Sequence, residues 1–442
     1  MKLEGKSLKG DFMRFIIPSI VAQWVFALYT MVDGMFVAKG VSEVALTAVN
    51  IAMPYVMTLF SISILFAVGT STVVAIMLGE NRAQKANEVF TQNIVLLSIF
   101  SIILTVIVML NLKELAIFLG ATEFNMVYVM EYLKYLVPFS GLFILSYSFE
   151  TLIKTDGYPK MAMIIVTGGS VLNVVLDYLM VIRWNMGIGG AALATSISHA
   201  VIIVFYLLHF CQKKGMIAFA KFKLDLPLVW RELKNGISSG ITELSAGLII
   251  FLFNQAILIY LTEEALVSYT IISYVNSIVI MSMVGIAQGY QPLVSYYFGQ
   301  KNTLKCKKLL KYGLVAVVIT SIVSVGGCFM AADWIVNLFI DPSMATLRAY
   351  SATVLRIFSL SFLIAGYNIV ISGYFTAVEK PVAATSISLC RTIIMLVISL
   401  AVMTALFQGA GIWWSATFAE ILTLIVTGFL FLRYLKSPQK VL

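Results

Sequence analysis

Two stretches, GIGGAALAT (187–195) and GAGIWWSAT (409–417), carry the same residues at four places. Gly187, Gly189, Ala194 and Thr195 match Gly409, Gly411, Ala416 and Thr417. The same spacing pairs Pro159 with Pro381, Tyr128 with Tyr350 and the basic Lys134 with Arg356. A spacing two residues shorter pairs Gly69 and Gly79 with Gly289 and Gly299. The chain therefore reads as one unit used twice.

That unit belongs in a bilayer. The 442 residues are 60% hydrophobic and 12% charged, with a mean hydropathy of +0.97, outside the range of a soluble domain. Stretches of about 20 apolar residues span a membrane core as helices. Twelve are found, at roughly 12–37, 45–78, 88–110, 126–152, 160–182, 189–211, 236–260, 265–298, 309–331, 347–376, 382–407 and 411–433. An even number of spans per repeat keeps both repeats in one orientation. The expected fold is an all-α membrane protein: twelve transmembrane helices in two parallel six-helix lobes, related by a pseudo-two-fold axis along the membrane normal. The first lobe is expected over 1–211 and the second over 236–442. The basic, partly apolar stretch 212–235 between them reads as a cytoplasmic linker lying along the interface.

Lys and Arg near span ends stay on the cytoplasmic side. With both termini cytoplasmic, only Lys39, Lys113, Lys134, Arg183, Arg348 and Arg356 fall outside, while Lys213, Lys214, Lys221, Lys223, Lys301, Lys305, Lys307 and Lys308 fall inside. The net charge of +9 is thus a topology signal and calls for a lipid bilayer, not nucleic acid. Cys211, Cys306, Cys328 and Cys390 are scattered, which indicates neither a disulfide framework nor a zinc site. No small-residue cleavage site follows the first apolar run, so that span is retained. The GKS at 5–7 lacks a preceding glycine-rich loop and strand, and no ATP or other cofactor is expected. His199 and His209 have no zinc-protease spacing, and no Ser/His constellation suggests an enzyme. The halves already form an interface, and a monomer is expected.

The chemistry sits in buried charges. An aspartate at mid-span is costly and faces a cavity or titrates. Asp33 lies six residues before Lys39, Asp177 six before Arg183, and Thr195 six after Gly189. At a rise of about 1.5 Å per residue, all three sit about 9 Å below the outer ends of their spans. Asn173 is one turn from Asp177 on the same face. Such oxygens suit a hard cation. Alternatively, two repelling carboxylates can share a proton, or the cluster is an interhelical hydrogen-bonded clamp.

The second half does not copy this site: Phe253 stands at the position of Asp33, Ser399 at that of Asp177, and only Thr417 matches. Its own charges are Glu243, aligned with Gln23, together with Arg391 and Glu420. Counted inward from Lys234, Lys380 and Arg433, the three share a depth, so Arg391 is expected to neutralise Glu420 as a structural pair. Glu243 is left to meet a cationic substrate. Aromatics such as Trp24, Tyr29, Phe60, Tyr147 and Phe149 cluster near the carboxylates and suit apolar cations. The expected substrate cavity comprises Gln23, Tyr29, Glu243, Arg391 and Glu420. Glu150 and Asp156 flank the turn KTDGYPK (154–160) and read as solvated loop charges.

With its twelve spans in parallel halves, Pro18, Gln23, Asp33 and Phe36 in span 1, NVVLD (173–177) in span 5, the DGYPK turn and the glycine-rich start of span 6, the chain resembles the multidrug and toxic compound extrusion (MATE) family over nearly its whole length. The resemblance implies export of organic cations from a prokaryotic cytoplasmic membrane, driven by inward movement of protons or sodium. Asp33, Asn173, Asp177 and Thr195 are similar to the first-lobe cation site of prokaryotic members, and Glu243 to an acid found in span 7 of many. No acid lies inside span 10, where some sodium-coupled members have one, which argues against a sodium site in the second lobe. The main rival is a flippase for lipid-linked oligosaccharides or peptidoglycan precursors, which shares this fold. Its polyanionic cargo would call for several mid-membrane Arg or Lys, and only Arg391 qualifies. A channel is disfavoured by the two-lobe repeat.

Overall fold

The computed structural model describes residues 7–436, and among them there are helices and no strands. Twelve helices are long and apolar enough to span a membrane. In order they are Leu8–Gly40, Val44–Gly79, Ala83–Leu110, Met126–Asp156, Pro159–Arg183 and Gly187–Cys211, then Leu226–Tyr260, Glu264–Gly299, Thr303–Asn337, Ala345–Ala377, Pro381–Phe407 and Gly409–Lys436, numbered here as spans 1–12. Local chemistry sets several ends. Ser7 Oγ and Ser42 Oγ accept from Gly10 N and Ala45 N at 2.9 and 3.1 Å, capping spans 1 and 2. Pro159 and Pro381 each open a helix, spans 5 and 11, where the missing N–H is no loss. That is the physical content of their repeat match.

Helix contacts repeat half by half. Span 1 packs on 5, 2 on 4 and 5 on 6, as span 7 packs on 11, 8 on 10 and 11 on 12. The lobes meet through a second symmetric set: span 1 on span 8, span 2 on span 7, and span 2 on span 8. The repeated glycines lie at these crossings. A Cβ at Gly69 would strike the backbone of Glu232, one at Gly289 that of Ile16, one at Gly79 that of Tyr296, and one at Gly299 that of Ile76. Backbones touch where no side chain can stand between them. Phe12, Phe15 and Ile16 of span 1 are accordingly buried in the apolar core of the second lobe.

All four crossings are at the end of the molecule that carries Lys213, Lys214, Lys301 and Lys305, called here the basic end. The linker there differs from expectation in length. Span 7 starts at Leu226, capped by Asp225, so 226–235 is helix and the irregular connector ends at 225. The connector is stitched to the first lobe: Met216 N and Ile217 N donate to Asp156 Oδ1 at 2.7 and 3.0 Å, Ala218 N to Asn87 Oδ1 at 3.0 Å, and Asp225 N to Gln92 Oε1 at 3.1 Å.

Candidate functional site

In the first lobe, spans 1, 5 and 6 bring Asp33, Asn173, Asp177 and Thr195 together. The carboxyls of Asp33 and Asp177 lie in hydrogen-bonding contact. The Asn173 amide is satisfied at both ends with its nitrogen 3.2 Å from Asp177 Oδ2 and its oxygen 3.3 Å from Thr195 N and Oγ1. Asp177 and Asn173 are fully buried. Asp33 Oδ1 and Asp177 Oδ1 are each shut from solvent without a hydrogen-bond partner. Two carboxyls in contact are disfavoured unless a proton or a cation lies between them, and the two orphaned oxygens are acceptors for it. The residues fit a proton or a small monovalent cation. Asp177 is also the last residue before a wide helical turn, Tyr178–Arg183, of the kind that collects at functional positions.

Beside the pair is a cavity of about 50 Å³ inside the lobe, lined in part by Tyr29, Ser146, Asn173, Thr195 and His199. Tyr29 was expected in the substrate cavity and is not among the residues lining the larger one. It stands one turn before Asp33 and shares that residue's face, so it points into the first lobe. His199 Nδ1 lies 2.9 Å from Ser146 Oγ.

A second cavity, of about 330 Å³, lies between the lobes and is lined by Gln23, Glu243, Arg391 and Glu420, among others. Gln23 Nε2 donates to Gln288 Oε1 at 2.9 Å, and Gln288 Nε2 to Tyr147 OH at 2.7 Å, a polar chain across the lobe boundary. Arg391 Nε donates to Glu420 Oε1 at 2.8 Å and Asn368 Nδ2 to Glu420 Oε2 at 2.8 Å. Glu420 is thus matched within its own lobe. Glu243 lines the same space and no charged group of the described residues offsets it.

Glu150 and Asp156, read as solvated, are both buried. Lys154 Nζ donates to Glu150 Oε1 at 2.6 Å, and Glu150 lines both cavities. The four-residue spacing of Glu150 and Lys154 on one helix was a visible signal. Asp156 Oδ2 lies 2.9 Å from His209 Nε2, a partner far along the chain that no local pattern indicates.

A duplicated six-span helical bundle with a polar chamber between its lobes and a carboxylate pair inside one of them defines a membrane transporter. The MatE family model matches residues 18–179 and 241–403, and the chain belongs to that family, the MATE transporters. It is 23% identical to the multidrug export protein MepA of Staphylococcus haemolyticus over 94% of this chain and 92% of that one. For MepA of Staphylococcus saprophyticus the identity is 22%, with the same coverage. The fold matches the outward-facing conformation of a multidrug resistance MATE family transporter of the MOP superfamily, with a TM-score of 0.92, 21% identity and 98% of each chain covered.

Proposed function

We propose that this protein is a secondary active exporter of organic cations that exchanges them for protons or sodium by alternating access. The observation that carries the reading is the Asp33–Asp177 contact with its two unpartnered buried oxygens. A carboxylate pair inside a lobe is stable when a cation or proton neutralises it, and it attracts a cationic drug when empty. The coupling ion drives transport only if it prefers one conformation, because equal affinity for both shifts nothing. Asn173 and Thr195 orient Asp177, and Glu243 is the free acid of the chamber that meets the drug. The positive-inside rule makes the basic end cytoplasmic, and the closed crossings then seal the chamber from the cytoplasm. The relatives that carry the name multidrug export protein support drug-like cargo. The flippase alternative is weakened by the Arg391–Glu420 pairing, which leaves no uncommitted Lys or Arg lining the chamber among the described residues.

The test is efflux of ethidium from everted vesicles with the proton gradient collapsed and sodium varied separately. Arrest on losing the proton gradient alone makes the pair a proton site, and dependence on sodium makes the four residues an ion cage. Asp33→Asn is expected to abolish efflux. Full drug resistance and transport in that variant would refute the assignment.

A further inference from the structure

Glu232 stands on one of the close crossings between the lobes, outside both cavities. It lies near the start of span 7 and is 1% exposed. Its backbone meets Gly69 of span 2 with no room for a Cβ, and four residues on Gly236 meets the backbone of Leu65 in the same way. The next turn closes the seam, with Ser61 Oγ donating to Gly240 O at 2.8 Å. The two helices cannot part at this end without uncovering Glu232.

Its carboxyl is only half matched. Oε1 is buried without a hydrogen-bond partner, and Thr70 of span 2 is the polar side chain that faces the group across the seam. The charged groups of this patch are Arg231 and Asp225 from the start of span 7, Glu80 from the end of span 2 and Glu379 from the turn after span 10. Arg231 is committed elsewhere: its Nε and Nη2 donate to the two oxygens of Glu379 at 2.6 and 2.7 Å, and Asn235 Nδ2 donates to the same carboxylate at 2.9 Å. Asp225 is 3.6 Å from Lys85, and Glu80 is 3.1 Å from Arg82. Each of these charges sits in an ion pair, Arg231 with Glu379 and not with Glu232, and Glu232 has no ion-pair partner among the described residues. A carboxylate buried without an ion-pair partner is costly in its charged form.

We propose that Glu232 is a second proton-binding site, occupied while spans 2 and 7 are closed at the basic end and vacated when they part. The inference rests on the alternating-access reading but not on the Asp33–Asp177 assignment. On opening, water reaches the seam, the carboxyl O–H bond breaks, the proton passes to a water molecule at the basic face, and a hydrated carboxylate remains. Closing reverses the step. The open-to-closed ratio at this end then rises with pH, by at most about tenfold per pH unit for a single proton.

The test reads conformation, not transport. Spin labels at Gln84→Cys and Leu304→Cys, on the exposed starts of spans 3 and 9, report the distance across the basic end. The full chain, with its native cysteines replaced, is studied in lipid nanodiscs from about pH 5 to 9. The wild-type background should open as pH rises. Glu232→Gln should stay closed at every pH, and Glu232→Asp should keep a pH response. The same slope in an Asp33→Asn background supports a separate site. A wild-type pH profile in Glu232→Gln overturns the proposal, and loss of the slope in Asp33→Asn alone does so by assigning it to the carboxylate pair. If Glu232→Gln does not fold, Thr70→Val serves: without the facing hydroxyl the ionised closed form loses a donor, so the basic end should match wild type at low pH and be more open than wild type at high pH, and a basic end equally or less open at high pH overturns the proposal.

Discussion

Arg391 and Glu420 illustrate how a pair lining the chamber can be structural. The ion pair spans 2.8 Å between side chains only 14% and 12% exposed, and Asn368, itself held by Thr427 Oγ1 at 2.9 Å, supplies Glu420 with a second donor. At an effective dielectric of about 20 the attraction is of order 4 kcal/mol, largely offset by the desolvation of both groups. Removing one partner is different, because it strands the other. Arg391→Met should therefore cost about 3–5 kcal/mol, since one amide cannot replace a guanidinium. Arg391→Met with Glu420→Gln should restore stability to within about 1 kcal/mol of wild type, because neither buried group is then charged. The coupling between the two sites is thus at least about 2 kcal/mol. Unfolding by SDS titration in mixed micelles, followed by tryptophan fluorescence, measures wild type, Arg391→Met, Glu420→Gln and the double variant, the four corners of the cycle. Ethidium efflux measured in parallel should fail in the single variant and recover in the double. Additive losses would refute the reasoning, and so would an Arg391→Met chain of wild-type stability that has lost efflux, which would make Arg391 a substrate contact.

The remaining predictions address the other sites. Glu243→Gln should weaken binding of a cationic dye by about tenfold, worth about 1.4 kcal/mol, with stability unchanged. A fluorescence titration checks this, and unaltered affinity would remove Glu243 from the drug path. Gly69→Val places a side chain against the backbone of Glu232 and should hold the basic end apart; with the native cysteines replaced, increased labelling of Ser61→Cys, which the closed seam buries against Gly240, by a membrane-impermeant thiol reagent would report it, and unchanged labelling would refute it. Asp156→Asn weakens the acceptor that holds Met216 N and Ile217 N at a cost of about 1–3 kcal/mol. Limited proteolysis within 212–225 should accelerate, and an unchanged cleavage rate would show that the connector is held by other contacts.

Much of this architecture was legible because it is local. Span length follows from runs of apolar residues, and depth in the membrane follows from the fixed rise of a helix. Counting inward from Lys39, Arg183 and Gly189 was therefore enough to bring Asp33, Asp177 and Thr195 to one level, where the structure has them converge. Pairing of Arg391 with Glu420 followed from the same count. The glycine repeats were visible as letters, but their reason was not: Gly69, Gly79, Gly289 and Gly299 are small because a second helix from the other lobe lies against each. Depth says nothing of direction around the helix axis, so Tyr29 was placed in the central chamber although it faces the first lobe. The charges at the basic end were the least readable. Asp156 looks like a turn residue until His209 and the connector close over it, and Glu232 looks like part of a polar linker until span 2 crosses it. Burial of a charge depends on which distant segment covers it, a property of the assembled lobes that no window of sequence contains.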